Sequence, residues 1–337
     1  MKLITTNIGS YPRVGESRDH QRLRRAYGQR EREELSAIAF RDVERSVTEE
    51  IIQEQVQSGI DHVTDGLISW QDPISHIAGR LGGVTIKGLL RFFDTNFYFR
   101  QPFVTGKLRW KEPLTLEAYT FAASVSPKPV RAILTGPYTL AKLSVVKTPA
   151  YKKFDKLVAA YAECLSREVS ALAKAGAPWI QIDEPAILKN PREFSIFKDA
   201  FSELHAAKGS SELALTTYFG ESSSLYRKLH SLPADALGFD FTYSSQKLME
   251  TIRSQGADKS LGLGLVDGRN TRLESEGEVL SKLEQILPAL KADRAFLNPS
   301  SGLEYLPRDK ALAKLKLLVR IRSAFQSGTK APEPALA

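Results

Sequence analysis

Short apolar runs alternate with amphipathic segments along most of the chain. The apolar runs predict eight strands, at residues 3–8, 61–65, 131–136, 179–183, 212–219, 236–240, 261–268 and 294–300. Between them, apolar residues recur with the 3.6-residue period of a helix. This period predicts helices at about 31–58, 154–175, 192–207, 222–231, 245–254, 273–287 and 308–325. The pattern is that of consecutive strand–helix units.

Repeated strand–helix units predict a parallel sheet, and eight of them favour a closed (β/α)8 barrel over an open sheet. The alternative, an open doubly wound sheet, usually carries a G-x-G-x-x-G turn after its first strand. No such pattern follows residues 3–8, and no Walker-type phosphate loop occurs in the sequence. We therefore predict an α/β fold, a single (β/α)8 TIM barrel that spans residues 1–325.

Two segments interrupt this rhythm. Residues 66–130 are too long for a plain loop and contain hairpin-like sequence. We predict that they form a hairpin-containing insertion after the second strand, which caps the C-terminal mouth where barrel active sites are built. Residues 326–337 are polar and rich in Pro and Ala, so we expect a disordered tail there.

Composition narrows the class of protein. Of 337 residues only Cys164 is a cysteine, which excludes an internal disulfide and favours the cytoplasm. With that one thiol and five histidines, a thiolate-rich zinc site is excluded as well. No apolar run reaches the ~18 residues of a membrane span, and the N-terminus lacks the apolar region of a signal peptide.

The net charge of +8 is concentrated in two basic stretches, residues 18–32 and 87–111. A surplus of this kind suits a solvated surface, an anionic ligand or nucleic acid. Acidic residues interleave the first stretch, and no nucleic-acid-binding motif accompanies it. We expect neither a nucleic-acid nor a membrane partner.

Carboxylates stand at the ends of several predicted strands: Asp65, Asp183, Glu184, Asp240 and Asp267. Such groups either accept hydrogen bonds from loop amides or serve a ligand, because a bare buried carboxylate is costly. The adjacent pair Asp183–Glu184 suits an amine. As general acid/base candidates we name Asp183, Glu184 and Asp240. Neither a G-x-S-x-G nor an H-E-x-x-H motif is present.

Seven segments of the sequence resemble motifs of a known protein family: GSYPRVG (9–15), FFDTNFYF (92–99), LTGPYT (134–139), WIQIDEPAI (179–187), LTTYFG (215–220), LGLGLVDGRN (261–270) and NPSSGL (298–303). Through them the chain resembles the cobalamin-independent methionine synthase family over residues 4–325. That family has two homologous barrels. The resemblance is closest to the N-terminal, folate-side barrel, to which the FDTN, TTYF and VDGRN segments are specific.

The resemblance also implies where this chain departs from the family's catalytic barrel. That barrel holds zinc with a His-x-Cys pair, a Glu and a Cys. The corresponding positions here are Thr217, Phe219, Asp240 and Ser301. Only Asp240 has a side chain suited to zinc, so we expect no metal on this chain and zinc on a partner barrel.

On the folate side, the resemblance implies that a methylfolate polyglutamate, 5-methyltetrahydropteroyltriglutamate, is the methyl donor. The residues it assigns to the polyglutamate are Arg13, Arg18, Gln21, Arg22 and Arg91. Guanidinium groups suit a tail of carboxylates because each pair can be bidentate.

Further substrate-binding residues follow by analogy with the family: Ser10 and Asn96 in the matching motifs, and Asp183 with Glu184 for an amino group. The family's other amine-binding Glu aligns with Leu67, which weakens the amine analogy. The rings of Phe92, Phe93, Phe97 and Tyr98 offer a flat surface to a pterin.

Two hypotheses about function remain open at this point. In the first, the chain is a stand-alone folate-side barrel in methionine biosynthesis. It binds the methyl donor, is inactive alone and acts with a separate zinc-bearing barrel. In the second, it is an independent zinc-free methyltransferase or lyase that uses the strand-end carboxylates.

Overall fold

A computed structural model describes residues 1–243 and 245–328 of the chain. Its strands are β1 (Lys2–Thr5), β2 (Gly82–Arg91), β3 (Tyr98–Arg109), β4 (Arg131–Thr135), β5 (Val145–Val146), β6 (Trp179–Asp183), β7 (Glu212–Thr217), β8 (Ala236–Asp240), β9 (Ser260–Val266) and β10 (Arg294–Pro299). Its helices are α1 (Arg22–Glu31), α2 (Ala37–Gln57), α3 (Ser75–Ala78), α4 (Leu116–Val125), α5 (Pro137–Lys142), α6 (Phe154–Lys174), α7 (Phe194–Ala206), α8 (Tyr226–His230), α9 (Ser245–Gln255), α10 (Glu276–Ile286) and α11 (Arg308–Ser327). Short 3-10 turns connect some of them.

Seven parallel strands form the barrel wall in the order β1-β10-β9-β8-β7-β6-β4. Two single bridges close the remaining gap, Thr6 with His62 and Val63 with Val130. The predicted (β/α)8 barrel is therefore confirmed. The predicted strand at 61–65 is wrong in extent, because the carboxylate of Asp61 accepts the Thr5 amide and hydroxyl at 2.8 Å each, in place of a backbone ladder.

The predicted helix at 31–58 is wrong at its start. Helix α1 ends at Glu31, and α2 begins only at Ala37. Ser36 caps α2, since its hydroxyl accepts the Ala39 amide at 3.2 Å. By contrast, α6, β6 and β8 lie where the apolar pattern put them.

Within residues 66–130, β2 and β3 pair as an antiparallel hairpin, and α3 and α4 flank it. Its turn, residues 92–97, reaches the barrel mouth, where the Phe97 ring packs edge-on against Tyr305 with centroids 4.6 Å apart. These contacts place the hairpin over the carboxyl ends of the barrel strands.

The expected disordered tail at 326–337 falls partly outside the described residues. Helix α11 continues to Ser327, so the start of the expected tail is wrong. Gly328 follows in the left-handed conformation that ends many helices. Residues 329–337 lie outside the described part. Among the described helices, none combines the length with the hydrophobicity that a membrane-spanning segment requires.

Candidate functional site

A cavity of about 290 Å³ opens at the barrel mouth, beneath the hairpin turn. It is lined by Ser10, Arg13, Val14, Leu67, Trp70, Gln71, Asp72, Pro73, Phe92, Phe97, Tyr98, Glu304 and Tyr305. A narrow space of about 20 Å³ shares Ser10, Trp70 and Glu304 with this cavity and reaches Asp183. The two spaces together form the candidate site.

Asp183 ends strand β6 and is buried at this inner space. One carboxylate oxygen accepts from Gln181 Nε2 at 2.8 Å, and the other accepts from the Tyr218 hydroxyl at 3.3 Å. Burial raises the pKa of Asp183 to about 7, although both donors act in the opposite direction. Asp183 can therefore exchange a proton at neutral pH.

Glu304 is the second carboxylate of the site, and sequence reasoning missed it. It lies beyond β10, accepts a hydrogen bond from the Ser10 hydroxyl, and lines both spaces. Burial raises the pKa of Glu304, and the nearby charge of Arg13 opposes that rise. The only signal in the sequence is an acidic residue directly after the NPSSGL motif. Asp72 also lines the larger cavity, but its carboxylate accepts the amides of Ile74, Ser75 and Arg100. The acidic pair of the inner space is thus Asp183 with Glu304.

Glu184 does not join Asp183 in the cavity. Its carboxylate accepts the Tyr138 amide at 2.9 Å and the Thr139 amide and hydroxyl at 2.7 and 2.6 Å. It therefore caps the first turn of α5. Burial raises the pKa of Glu184 to about 7 against the pull of these donors. Its oxygens are engaged, and we assign it no ligand.

Asp240, Asp65 and Asp267 accept hydrogen bonds from the loops at the strand ends. Asp240 accepts the amides of Phe219 and Thr242 and the Thr242 hydroxyl. Asp65 accepts the Leu67 amide, and Asp267 accepts the amide two residues along its loop. At the strand ends, Asp183 is the carboxylate that faces the cavity system.

The positions that correspond to the family's zinc ligands do not fit a zinc ion. Thr217 donates its hydroxyl to the Gly238 carbonyl at 3.3 Å, and Ser301 is fully buried. Phe219 places its ring 5.9 to 6.0 Å from those of Phe92, Phe93 and Tyr305. An aromatic cluster thus occupies the region where a zinc centre needs thiolate and imidazole ligands. The residues at these positions therefore do not form a zinc site.

One other group of possible metal ligands occurs among the described residues: His20, Glu50 and Glu54. Two arginines neutralise it. Arg308 contacts both glutamates, and Arg22 contacts Glu50. This is an ion-pair network that joins α2 to α11 and to the segment before α1.

The expected polyglutamate residues separate into four places, of which the hairpin turn with Arg91 is the last. Arg13 lines the cavity, and burial lowers its pKa against the pull of Glu304. Arg18 is exposed outside the cavity. Gln21 donates to the Gly15 carbonyl and Arg22 pairs with Glu50, so both hold the segment before α1 in place.

Arg91 and Asn96 lie at the exposed hairpin turn. The Arg91 guanidinium donates to the Thr95 carbonyl at 2.5 Å and contacts the Asn96 side chain at 3.5 Å. It therefore braces the turn. Phe97 and Tyr98 are partly exposed beside the cavity, whereas Phe92 is buried in its wall.

Backbone strain is concentrated around the cavity. Leu67, Phe93 and Phe219 all have positive φ, between 51° and 62°, which is costly for residues other than glycine. Leu67 and Phe219 line the inner space, and Phe93 packs on Phe219. Strain of this kind persists where the surrounding structure enforces a particular shape, as at a binding site.

This geometry defines a class of protein: a (β/α)8 barrel with a polar and aromatic ligand site at the carboxyl ends of its strands. The family model described as "Cobalamin-independent synthase, Catalytic domain" matches residues 3–323. The chain belongs to the cobalamin-independent methionine synthase family.

Named relatives agree with this assignment. A methionine synthase of Saccharolobus solfataricus is 33% identical over 319 residues, covering 94% of this chain and 93% of the relative. One from Sulfolobus acidocaldarius is 32% identical over 323 residues, covering 94% and 91%.

The fold agrees as well. The structure of a B12-independent methionine synthase from Shewanella sp. W3-18-1, in complex with selenomethionine, matches with a TM-score of 0.79 at 20% identity, covering 97% of this chain and 99% of that one. The matching family model is that of the catalytic domain.

Proposed function

We propose that this chain acts as a folate-side barrel in methionine biosynthesis. It binds 5-methyltetrahydropteroyltriglutamate at the barrel mouth and works with a separate zinc-bearing barrel that activates homocysteine. The observation that carries the proposal is a cavity of about 290 Å³ at the barrel mouth together with Phe219, which replaces one of the family's zinc ligands and packs in an aromatic cluster. In this proposal the chain binds the methylfolate donor, and a partner activates the thiol of homocysteine.

The cavity suits a reduced pterin. A pterin presents a ring nitrogen and an exocyclic amino group that donate along one edge, and a carboxylate accepts such a pair of donors. Glu304, which lines both spaces, supplies such a carboxylate. The rings of Trp70, Phe97 and Tyr305 supply apolar walls.

The acids also suit the transfer itself. When the methyl group leaves N5 of the pterin for the sulfur of homocysteine, the N5–carbon bond breaks and a sulfur–carbon bond forms. A proton at N5 makes the pterin a better leaving group. Asp183, with a pKa of about 7, can hold that proton at neutral pH.

The polyglutamate tail leaves the cavity at its rim in this proposal. Arg13 lines the cavity and meets the first tail carboxylate, and exposed Arg18 lies further along the same segment. Arg22 and Arg91 act indirectly, because their guanidinium groups hold the segment before α1 and the hairpin turn. We place the reaction in the cytoplasm.

Reconstitution tests the proposal. Purified chain is analysed for zinc and assayed for methionine formation from homocysteine and the triglutamate donor, alone and with a zinc-bearing barrel of the family. We expect no stoichiometric zinc, no turnover alone and turnover with the partner that depends on this chain. Stoichiometric zinc, or no effect of this chain on the partner, would overturn the proposal.

A second candidate is an independent zinc-free methyltransferase or lyase. The pKa of Asp183 near neutrality favours it, because such a group serves as an acid or base without a metal. Turnover by the chain alone, lost in Asp183→Asn, would select this candidate over the first. If the chain without a partner turned over none of the methylated donors tested, that result would count against the second candidate.

A further inference from the structure

A buried hydrogen-bonded chain runs from the barrel floor to the site. Arg131, at the start of β4, donates from Nη1 to Gln181 Oε1 at 3.1 Å. Gln181 Nε2 then donates to Asp183 at 2.8 Å and to the Ile8 carbonyl at 2.8 Å. Arg131 and Gln181 are 6% and 0% exposed.

The donor and acceptor groups fix the direction of the hydrogen bonds from Arg131 through Gln181 to Asp183. A guanidinium group can only donate, so the Gln181 oxygen must face Arg131. The amide nitrogen of Gln181 is then left to face Asp183 and the Ile8 carbonyl. Arg131 on one side of the amide and the Ile8 carbonyl, which can only accept, on the other determine together that Asp183 receives a hydrogen-bond donor.

Burying the Arg131 side chain in this position costs folding free energy. Its Nε and Nη2 atoms are buried without a hydrogen-bond partner, and its guanidinium carbon lies 5.4 and 5.0 Å from the ring centroids of Trp179 and Phe296. A buried donor without a partner costs about 1–3 kcal/mol. The structural role alone could be filled by an apolar side chain at lower cost.

We infer that Arg131 is a positioning residue for the site: through Gln181 it orients the Asp183 carboxylate and favours its ionised form. The inference deepens the proposed function, on which the role of Asp183 toward a ligand rests. Arg131 itself touches no part of the cavity that holds the ligand.

Other charged and titratable groups also act on Asp183. Glu304 and Glu184 disfavour its ionisation, while the Tyr218 hydroxyl donates to it from β7. The charge of Arg131 favours ionisation of Asp183, and burial lowers the pKa of Arg131 to about 10, so it stays charged at neutral pH.

The test measures the titration of Asp183 in the ligand-free chain. Protein labelled with 13C at the aspartate carboxyl carbon is followed by NMR from pH 4 to 9, and the Asp183 signal is the one lost in Asp183→Asn. In Arg131→Met we expect its midpoint to rise by about one pH unit or more, since an opposite charge is removed. Arg131→Lys should restore part of that change.

Arg294→Met is the matched control. Arg294 also lies over the Trp179 ring, at 4.9 Å, but it pairs with Glu212 and has no contact with Gln181. We expect it to leave the midpoint of Asp183 within a few tenths of a pH unit. An unchanged midpoint in Arg131→Met, or an equal rise in Arg294→Met, would overturn the inference.

Gln181→Met provides a second test in case Arg131→Met does not fold. It removes the donor to Asp183 while Arg131 stays in place, and we expect a smaller rise in the same direction. No rise would contradict the relay. Because no ligand is used, failure of folate binding would leave this result intact, so the two claims fail separately.

Discussion

The carboxylate of Asp94, in the hairpin turn, accepts a hydrogen bond of 2.7 Å from the hydroxyl of Tyr243, in the loop after β8. Arg269, in the loop after β9, lies 3.5 Å from the other oxygen of Asp94 and stacks on Tyr243. These three side chains fasten the tip of the hairpin to the far side of the barrel mouth. The cavity lies beneath the fastened hairpin.

Removing the Tyr243 hydroxyl should loosen the hairpin turn. In Tyr243→Phe we expect the amides of Phe92 and Thr95, which bond within the turn, to exchange with deuterium about 5- to 10-fold faster. That ratio corresponds to the loss of a hydrogen bond worth about 1 kcal/mol. Hydrogen-exchange mass spectrometry of residues 92–97 measures it.

Tyr98→Phe is the control for this prediction. Tyr98 lies on the same hairpin, is 59% exposed, and has no hydroxyl hydrogen bond within the described part of the chain. Its removal should leave exchange in the turn unchanged. Equal rates in Tyr243→Phe and the wild type would show that the contact with Asp94 does not hold the hairpin.

Burial of Asp183 should make stability depend on pH. Its pKa is raised from 3.8 to about 7 in the fold, so the folded chain holds this proton more tightly than the unfolded chain. The resulting stabilisation is complete below pH 4 and is lost as pH rises to about 7. Asp183→Asn removes this cost, and at pH 8 we expect it to raise the free energy of unfolding by about 1–3 kcal/mol.

Urea unfolding at pH 8 and pH 5 measures the effect. The gain from Asp183→Asn should shrink at the lower pH, where the wild-type carboxyl is largely protonated. Asp199→Asn, at an exposed position on α7, is the control and should change nothing at either pH. A gain of equal size at both values would refute the linkage.

Glu168 on α6 should be a major determinant of stability. It is fully buried and accepts from Trp110 Nε1 at 2.9 Å, the Leu114 amide at 2.7 Å, and the Thr115 amide and hydroxyl at 2.8 and 3.0 Å. Glu168→Gln puts an amide donor against these donors, and we expect a loss of about 2–3 kcal/mol. Thermal and urea unfolding report it.

Glu163→Gln serves as its control. Glu163 lies on the same helix, is exposed, and pairs with Arg167 one turn away. Exposed pairs of this kind contribute roughly 0.2–1 kcal/mol. If both variants lost the same stability, the buried contacts of Glu168 would not explain the loss.

The barrel could be predicted because burial imposes a period on the sequence. Strands β6 and β8 are buried at every residue, and α6 buries one face, so their apolar patterns are unambiguous. The strand at 61–65 was overestimated since its apolar pattern cannot show that Asp61 replaces ladder bonds. The break before Ala37 depends on the capping of α2 by Ser36.

The site could be predicted only in part. Strand-end position identifies Asp183, Glu184 and Asp240 equally, but tertiary contacts determine which carboxylates serve loop amides and which stay open. Glu304 was not predicted as a site residue because it lies in the loop after β10, and only the fold brings it to Ser10. Gln181 and Arg131 lie inside strands, where the sequence shows no functional signal.

The measurement that tests the central claim most directly is a calorimetric titration of the chain with 5-methyltetrahydropteroyltriglutamate. We expect binding at about micromolar Kd, weakened tenfold or more in Arg13→Met through the loss of one charged contact. Arg253→Met, at an exposed position on α9, removes the same charge and should bind as the wild type does. Absence of triglutamate binding, or equal weakening by both variants, would contradict a donor site at the barrel mouth.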